Sequence, residues 1–148
     1  MASDDASYIT GENINVNGGS NGTDNLDISI GDNYENHSYY IGINRFNTNG
    51  ISAMNDEKDT NDDDSYESDS LIANYSYVFS KNNIFKGSLR YSDSFLNYDE
   101  VTQGRTDANN STNDDEISYI LSFTTKKDKS NHTFSYNYTG IERATKNF

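Results

Sequence analysis

Hydrophobic and polar residues alternate with a period of two along much of the chain. In residues 70–79 (SLIANYSYVF) the odd-numbered positions hold Leu, Ala, Tyr, Tyr and Phe, whereas three of the five even-numbered positions hold Ser or Asn. Because successive side chains of a strand point to opposite faces, this alternation predicts a strand with one apolar and one polar face. The same pattern predicts strands at seven places: residues 12–18, 24–31, 37–46, 70–79, 84–95, 116–123 and 132–140.

The connections between the predicted strands follow a regular order of length. From the second strand onward they are alternately short and long, and the long ones are the acidic segments 47–69 and 97–115. In an up-and-down meander alternate connections lie at the same end of the sheet, so both long loops are expected at one end. The sequence therefore predicts an all-β fold: one region, residues 1–148, with seven or eight antiparallel strands after an irregular or disordered segment, residues 1–11.

Two environments are compatible with the apolar faces of these strands. Short turns at one end, long loops at the other and strands with one apolar and one polar face are typical of outer-membrane β-barrels. Aromatic residues near the strand ends favour the same architecture, as belts at the membrane interfaces: Tyr39, Phe46, Tyr66, Phe79, Phe85, Phe95 and Phe123.

On the barrel hypothesis the chain is a whole barrel or a segment of one, with Tyr75, Tyr77, Leu89, Tyr119 and Leu121 facing lipid. Bacterial barrels have even strand numbers, so seven strands favour either a further strand near the N-terminus or a segment of a larger barrel. The alternative is a water-soluble β-sandwich or open sheet, whose strands alternate equally well.

Composition narrows the choice of partners and chemistry. Only 32% of the residues are hydrophobic, yet 12 Tyr and 7 Phe argue against a disordered chain and favour thin apolar stripes with long polar loops. The net charge of −13 makes nucleic acid an unsuitable partner, because phosphate binding needs basic patches. The absence of cysteine excludes disulfides and thiolate metal sites.

Three stretches resemble TonB-dependent outer-membrane receptors, and the cobalamin transporters most closely: NINVNGGSNGTDNLDISIGDN, SYYIGINRFNTNG and NDDDSYESDSLIANYSYVFSKNNIFKGSLRYSDSFLNYDE. The resemblance implies an early part of a 22-stranded barrel, without the plug domain that fills such barrels and without contact to TonB. It further implies a place in the bacterial outer membrane, contact with outer-membrane lipid, and uptake of a scarce nutrient such as cobalamin or a metal chelate through the parent receptor.

The two long loops are rich in carboxylates, and the meander would make them neighbours. Several hard oxygen ligands suit Ca²⁺, which takes six to eight of them. The resemblance implies calcium ligation by Asp62, Asp64 and Asp99, with Asp107 as a further match, whereas Ile51 and Ser52 stand where the family has another loop acid. The alternative is that these acidic runs are simply hydrated loops.

No catalytic motif is present, so an enzyme is not expected. The chain has no His-Glu-x-x-His sequence, glycine-rich phosphate loop or nucleophile elbow. The second function considered is therefore a secreted, soluble, acidic β-sheet module for binding or adhesion, ordered by calcium.

Overall fold

The strands of the protein form one antiparallel sheet in chain order. The structure is a computed structural model that describes residues 11–20, 22–50, 64–99 and 109–146. Its strands are β1 (Gly11–Gly18), β2 (Asp24–Tyr34), β3 (His37–Thr48), β4 (Tyr66–Ser80), β5 (Asn83–Asp99), β6 (Asn109–Lys127) and β7 (Ser130–Lys146). Each strand pairs with its neighbour in sequence, so the predicted all-β meander is confirmed.

None of the described residues belongs to a helix long and apolar enough to cross a membrane.

The sheet formed by the described strands is open. β1 pairs only with β2 and β7 only with β6, so both outer strands are edges. A closed barrel, one of the two forms predicted, is therefore not formed by these strands. The physical reason is the odd strand number: in a meander of seven strands the first and last run in the same direction, whereas barrels of this class close through an antiparallel pair.

One register holds across the whole sheet. The row through Tyr39, Tyr75, Gly87, Leu121 and Tyr136 crosses five strands, each residue lying directly opposite the next. The one irregularity in register lies at the end of β4, between Val78 and Ser80. Because directly opposite residues share a face of the sheet, most apolar positions of the strands fall on the same face, whereas Ile72, Ile84 and Ile120 lie on the other.

The turns alternate in length as predicted. Two-residue turns join β2 to β3, β4 to β5 and β6 to β7, whereas residues 49–65 and 100–108 connect strands at the opposite end. Glu35 and Asp128 begin two of the tight turns with φ of 50° and 53°. A left-handed residue in a two-residue turn matches the right-handed twist of the flanking strands.

The strands extend beyond their predicted ends. Residues 109–115, predicted to lie in the long loop 97–115, form the first part of β6, and residues 66–69, predicted in the loop 47–69, begin β4. Gly11 belongs to β1 rather than to the irregular N-terminal segment, and residues 1–10 lie outside the described part. Apart from Tyr66 the extensions are polar on both faces, so they carry no alternation of hydrophobicity, although their backbones pair regularly with the neighbouring strands.

The described part of the chain contains no buried hydrophobic residue. Its one buried residue is the polar Asn110, which is 2% exposed, whereas Ile43 is 52% exposed and Tyr136 is 59% exposed. The apolar side of the sheet is therefore not covered by any other described part of the chain. This uncovered surface is the feature of the fold that requires a functional explanation.

Candidate functional site

The apolar side of the sheet carries a band without a charged residue. We define the apolar band as four rows across β4 to β7, three of which continue onto β3: Tyr39, Ile41 and Ile43 of β3; Leu71, Ala73, Tyr75 and Tyr77 of β4; Phe85, Gly87, Leu89 and Tyr91 of β5; Ile117, Tyr119, Leu121 and Phe123 of β6; and Phe134, Tyr136, Tyr138 and Gly140 of β7. The fourth row, through Tyr77 and Phe85, meets His37 on β3. The neighbouring β1 and β2 add aliphatic residues on this face, among them Ile14, Ile28 and Ile30. The row through Ile14, Ile28 and Ile43 is uncharged across all seven strands. The other two rows that reach β3 meet a carboxylate residue at that edge of the sheet, since Asp32 of β2 opposes Tyr39 and Glu12 of β1 opposes Ile30.

Polar rows bound the band at both ends. At the loop end a charged row crosses the sheet: Arg45, Asp69, Asp93, Asp115 and Glu142. At the turn end the same side of β5 begins with Asn83. Between Asn83 and Asp93 the strand rises about 33 Å at 3.3 Å per residue, which becomes roughly 25 Å across a membrane for a strand tilted by about 40°. This spacing of the bounding polar residues equals the height of about 25 Å of the apolar belt of outer-membrane barrels, whereas the four rows themselves, from Phe85 to Tyr91, rise about 20 Å along the strand.

Aromatic side chains interlock at the turn end of the apolar band. The ring centroids of Tyr77 and Phe79 are 4.5 Å apart in an edge-to-face arrangement, and those of Phe79 and Phe123 are 6.3 Å apart. His37 lies beside this cluster, with its ring 4.4 Å from that of Tyr77 and its Nδ1 2.7 Å from the hydroxyl of Tyr75. These contacts form an ordered aromatic border with polar atoms at its edge, as is typical of side chains at a membrane interface.

A groove crosses the apolar band where its side chains are smallest. Ala73 and Gly87 form its floor, and Tyr75, Leu89 and Leu121 are among the residues that line it. The groove encloses about 450 Å³ and exposes only apolar surface. Its apolar lining suits an apolar group.

The opposite side of the sheet is mainly polar in the same rows. A groove of about 510 Å³ on this side is lined by Ser76, Lys86, Ser88 and Ser122, among others. Closer to the loop end, Asn44 donates hydrogen bonds to Asn25 (2.7 Å) and Asp27 (2.5 Å). Ile120 and Tyr40 also line the groove on this face and are 50% and 44% exposed, so the face mixes polar side chains with a few exposed apolar ones.

Tyr40 stands out among the small residues of the polar face. Its ring lies against Gly31, its cross-strand partner, and against Gly42 on its own strand. Aromatic rings that cover glycines in this way help to fix strand register.

The structure places two of the four residues predicted to bind calcium. Asp64 is half-buried and precedes β4, and Asp99 ends β5, whereas Asp62 and Asp107 lie outside the described residues. Ser65 and Asn97 join the two strand ends: the amide of Asn97 donates to the carbonyl of Ser65, and its side chain donates to the Ser65 hydroxyl, both at 2.9 Å. Asp64 and Asp99 therefore lie at the same end of neighbouring strands, as the meander predicted.

No group of three or more His, Cys, Asp or Glu in the described ranges is arranged to hold a metal ion.

The charged row at the loop end was missed by the sequence analysis. Asp69 and Asp115 were assigned to loops, although both lie in strands and directly oppose Asp93. The alternation of each strand could have placed them. Asp69 lies two residues before Leu71 and Asp115 two residues before Ile117, so each falls on the apolar side of its strand. The row marks the level at which the apolar surface ends.

Asp114 and Arg143 were also missed, and they form a paired contact on the polar face. Arg143 Nε donates to one carboxylate oxygen of Asp114 at 2.6 Å, and Nη2 donates to the other at 2.7 Å. These hydrogen bonds are the main reason that the pKa of Asp114 is lowered from its ordinary value. The pair fastens β6 to the edge strand β7 just beyond the charged row.

Comparison with known proteins adds no relative: no family model, curated protein or solved structure matches this chain.

Proposed function

We propose that the chain forms a segment of an outer-membrane β-barrel, with lipid against the apolar band and an aqueous lumen against the polar face. The single observation that carries this proposal is the band itself, in which four rows across β4 to β7 hold no charged residue and yet remain uncovered. Soluble monomers rarely expose apolar patches of more than a few hundred Å². Lipid provides the cover that the sheet lacks.

The alternative is the soluble, acidic binding module. A β-sandwich buries the apolar face of one sheet against a second sheet about 10 Å away. All the described strands belong to one sheet, so none of them supplies the second sheet that would complete such a core. The spacing of the polar residues that bound the band, the aromatic border at the turn end and the grouping of the long connections at one end favour the barrel segment.

The parent protein that we propose is a TonB-dependent receptor that takes up a nutrient such as cobalamin or a metal chelate. Support for this part comes from the sequence resemblance and from the arrangement of short turns and long loops. In this proposal the segment supplies part of the barrel wall and does not contact TonB. It has no catalytic role.

Calcium binding at the loop end belongs to the same proposal. The ligands would be Asp62, Asp64, Asp99 and Asp107, and the support is that the ends of both acidic loops lie on neighbouring strands. Titration calorimetry of the chain folded in detergent should show a heat of calcium binding. The double variant Asp64→Asn, Asp99→Asn should abolish that heat. Asp128→Asn, a change at the opposite end of the sheet, is the matched control. An unchanged heat of binding in the double variant would show that Asp64 and Asp99 are not calcium ligands.

The membrane proposal is tested with two neighbouring positions on opposite faces. The chain has no cysteine, so Ala73→Cys and Asn74→Cys each provide one site for a nitroxide label. In liposomes we expect the label at position 73 to collide mainly with dissolved oxygen, which concentrates in lipid, and the label at position 74 mainly with a water-soluble nickel complex. Leu89→Cys and Ser88→Cys provide a second pair on the next strand.

The result that would overturn the proposal is equally specific. If the chain folds as a monomer in plain buffer and the label at position 73 is shielded from both reagents, the apolar band is the core of a soluble protein. The binding module would then replace the barrel segment.

A further inference from the structure

Part of the turn end of the sheet is basic, in contrast to the rest of this acidic chain. The turn between β2 and β3 at the same end is acidic instead, with Glu35 in the turn and Asp32 opposite Tyr39. The two tight turns at the ends of β4–β5 and β6–β7, residues 80–83 and 126–130, contain four lysines and one aspartate. The lysines are Lys81, Lys126, Lys127 and Lys129, and all four are exposed. Within the described part of the chain none of them forms an ion pair. They provide positive charge that no described side chain neutralises.

The two turns lie side by side because their strands are neighbours. The amide of Lys126 donates a hydrogen bond of 2.8 Å to the carbonyl of Asn82, which joins one turn to the other. Lys127 has the same parity as Phe123 and therefore lies on the apolar side of the sheet, next to the aromatic border. The basic turns are thus continuous with the apolar band.

The apolar groove lies one leaflet away from these lysines. Leu121 lines the groove, and Lys127 lies farther along the same strand, roughly 20 Å away at 3.3 Å per residue. A strand tilt of about 40° reduces this to roughly 15 Å across the membrane, slightly more than half of an apolar belt of about 25 Å. Positive charge at the head-group level and an apolar groove near the midplane are the two features that a phospholipid would contact.

We propose that this surface binds an anionic phospholipid, with its phosphate among Lys81, Lys127 and Lys129 and an acyl chain in the groove above Ala73 and Gly87. The proposal rests on the proposed function, since the apolar band must face lipid for the groove to hold an acyl chain. Charge complementarity selects an anionic head group over a zwitterionic one. The loop end of the band, bounded by Asp93 and Asp115, has the opposite charge and should show no such preference.

The chain lacks tryptophan, so a single introduced tryptophan reports the lipid next to it. Phe85→Trp places the probe at the turn end of the apolar band, and Tyr91→Trp places it on the same strand and face at the loop end. Each variant of the full chain is reconstituted in mixtures of brominated phosphatidylglycerol or brominated phosphatidylcholine with the unbrominated lipids. Quenching of tryptophan fluorescence then gives the relative affinity of each lipid at each end.

At position 85 we expect phosphatidylglycerol to bind about fivefold more tightly than phosphatidylcholine for each lysine that contacts the phosphate. The preference should disappear in the triple variant Lys81→Gln, Lys127→Gln and Lys129→Gln, and should weaken in high salt. Lys86→Gln, on the polar face, is the matched control and should retain it. At position 91 the two lipids should quench equally.

The outcomes separate this inference from the proposed function. Equal quenching by both lipids at position 85, or a preference that survives the triple variant, would overturn the phospholipid site and leave the membrane segment intact. If neither lipid quenches either tryptophan in a folded chain, the apolar band does not face lipid and both proposals fail. Circular dichroism establishes that each variant is folded, and Phe123→Trp provides a second probe at the turn end.

Discussion

Arg143 on β7 holds both carboxylate oxygens of Asp114 on β6, with hydrogen bonds of 2.6 and 2.7 Å. The planar guanidinium matches the carboxylate in a way that a lysine ammonium cannot. The two residues lie directly opposite each other, on the loop side of the charged row and outside the apolar band. The contact therefore joins the edge strand to the sheet beyond the region proposed to lie in lipid.

This pair predicts a specific pH dependence of stability. The pKa of Asp114 is lowered from its ordinary value of 3.8, chiefly by the hydrogen bonds from Arg143; desolvation opposes this effect, and the charge of Arg143 adds a smaller lowering. A carboxyl group with a lowered pKa in the folded state stabilises the fold above its unfolded pKa, and the stabilisation is lost as pH falls through the folded pKa. Thermal unfolding in detergent should therefore occur at a lower temperature in Arg143→Gln than in the parent chain at pH 7.

The difference between the two chains should shrink as the pH falls below 3.8, where Asp114 begins to take up a proton. Arg143→Lys should fall between them at pH 7, because it keeps the charge and loses the paired geometry. A difference in unfolding temperature that does not change with pH would show that the stabilisation does not come from the carboxylate.

A positive charge on the apolar band should be costly in proportion to its depth. We expect Leu89→Arg, in the middle of the band, to destabilise the folded chain in lipid by about 2–4 kcal/mol. Tyr91→Arg, near the loop end, should destabilise it by about 1 kcal/mol or less. Ser88→Arg, on the polar face at the same level, is the control and should cost little. Denaturant titration of folding into liposomes measures all three.

A packed protein core would give a different result. There the cost would follow the burial of each side chain and not its distance from the charged row. Equal costs at positions 89 and 91 would therefore contradict a lipid environment for the apolar band.

Gly50 should not tolerate a side chain. Its φ of 68° is in the left-handed region, and a Cβ atom there would collide with the backbone carbonyl of Asp64 at the start of the next strand. We expect Gly50→Ala to destabilise the fold by about 2 kcal/mol or more, because it combines this clash with left-handed strain of about 1–2 kcal/mol.

Gly18→Ala is the matched control for Gly50→Ala, since a Cβ at position 18 meets nothing within 4 Å. Thermal unfolding of both variants compares the costs. If Gly50→Ala unfolds at the same temperature as Gly18→Ala, the close approach of residues 50 and 64 is not required for folding.

The tight turn at Glu35 should be improved by glycine. A non-glycine residue in the left-handed region costs about 1–2 kcal/mol, and glycine removes that cost at an entropic penalty of about 0.5–1 kcal/mol. We therefore expect Glu35→Gly to stabilise the sheet by roughly 0.5–1 kcal/mol, measured by denaturant unfolding. Asp128→Gly, at the equivalent place in the β6–β7 turn, should gain less, because aspartate adopts this conformation more readily than glutamate. A loss of stability in Glu35→Gly would contradict the turn geometry.

The pattern of the sequence was sufficient to predict the strands and their faces. Leu71, Tyr75 and Phe79 fall on the apolar side because side chains alternate along a strand, and the short turns leave adjacent segments little choice but to pair. The order of short and long connections likewise predicted that Asp64 and Asp99 would lie at one end. Strand positions, strand faces and connection lengths depend on residues close together in the sequence, so they can be predicted from its pattern.

What the tertiary structure decided is the alignment of one strand against the next. Only the register shows that Asp93 lies between Asp69 and Asp115, that Arg143 opposes Asp114, and that Ala73 and Gly87 together leave a groove. The polar first part of β6 has no hydrophobic alternation, so its strand conformation depends on backbone pairing with β5 and β7. Side-chain periodicity fixes which face a residue occupies but leaves registers that differ by two residues equally allowed, so the choice among them depends on the turns and on hydrogen bonding between the backbones of neighbouring strands.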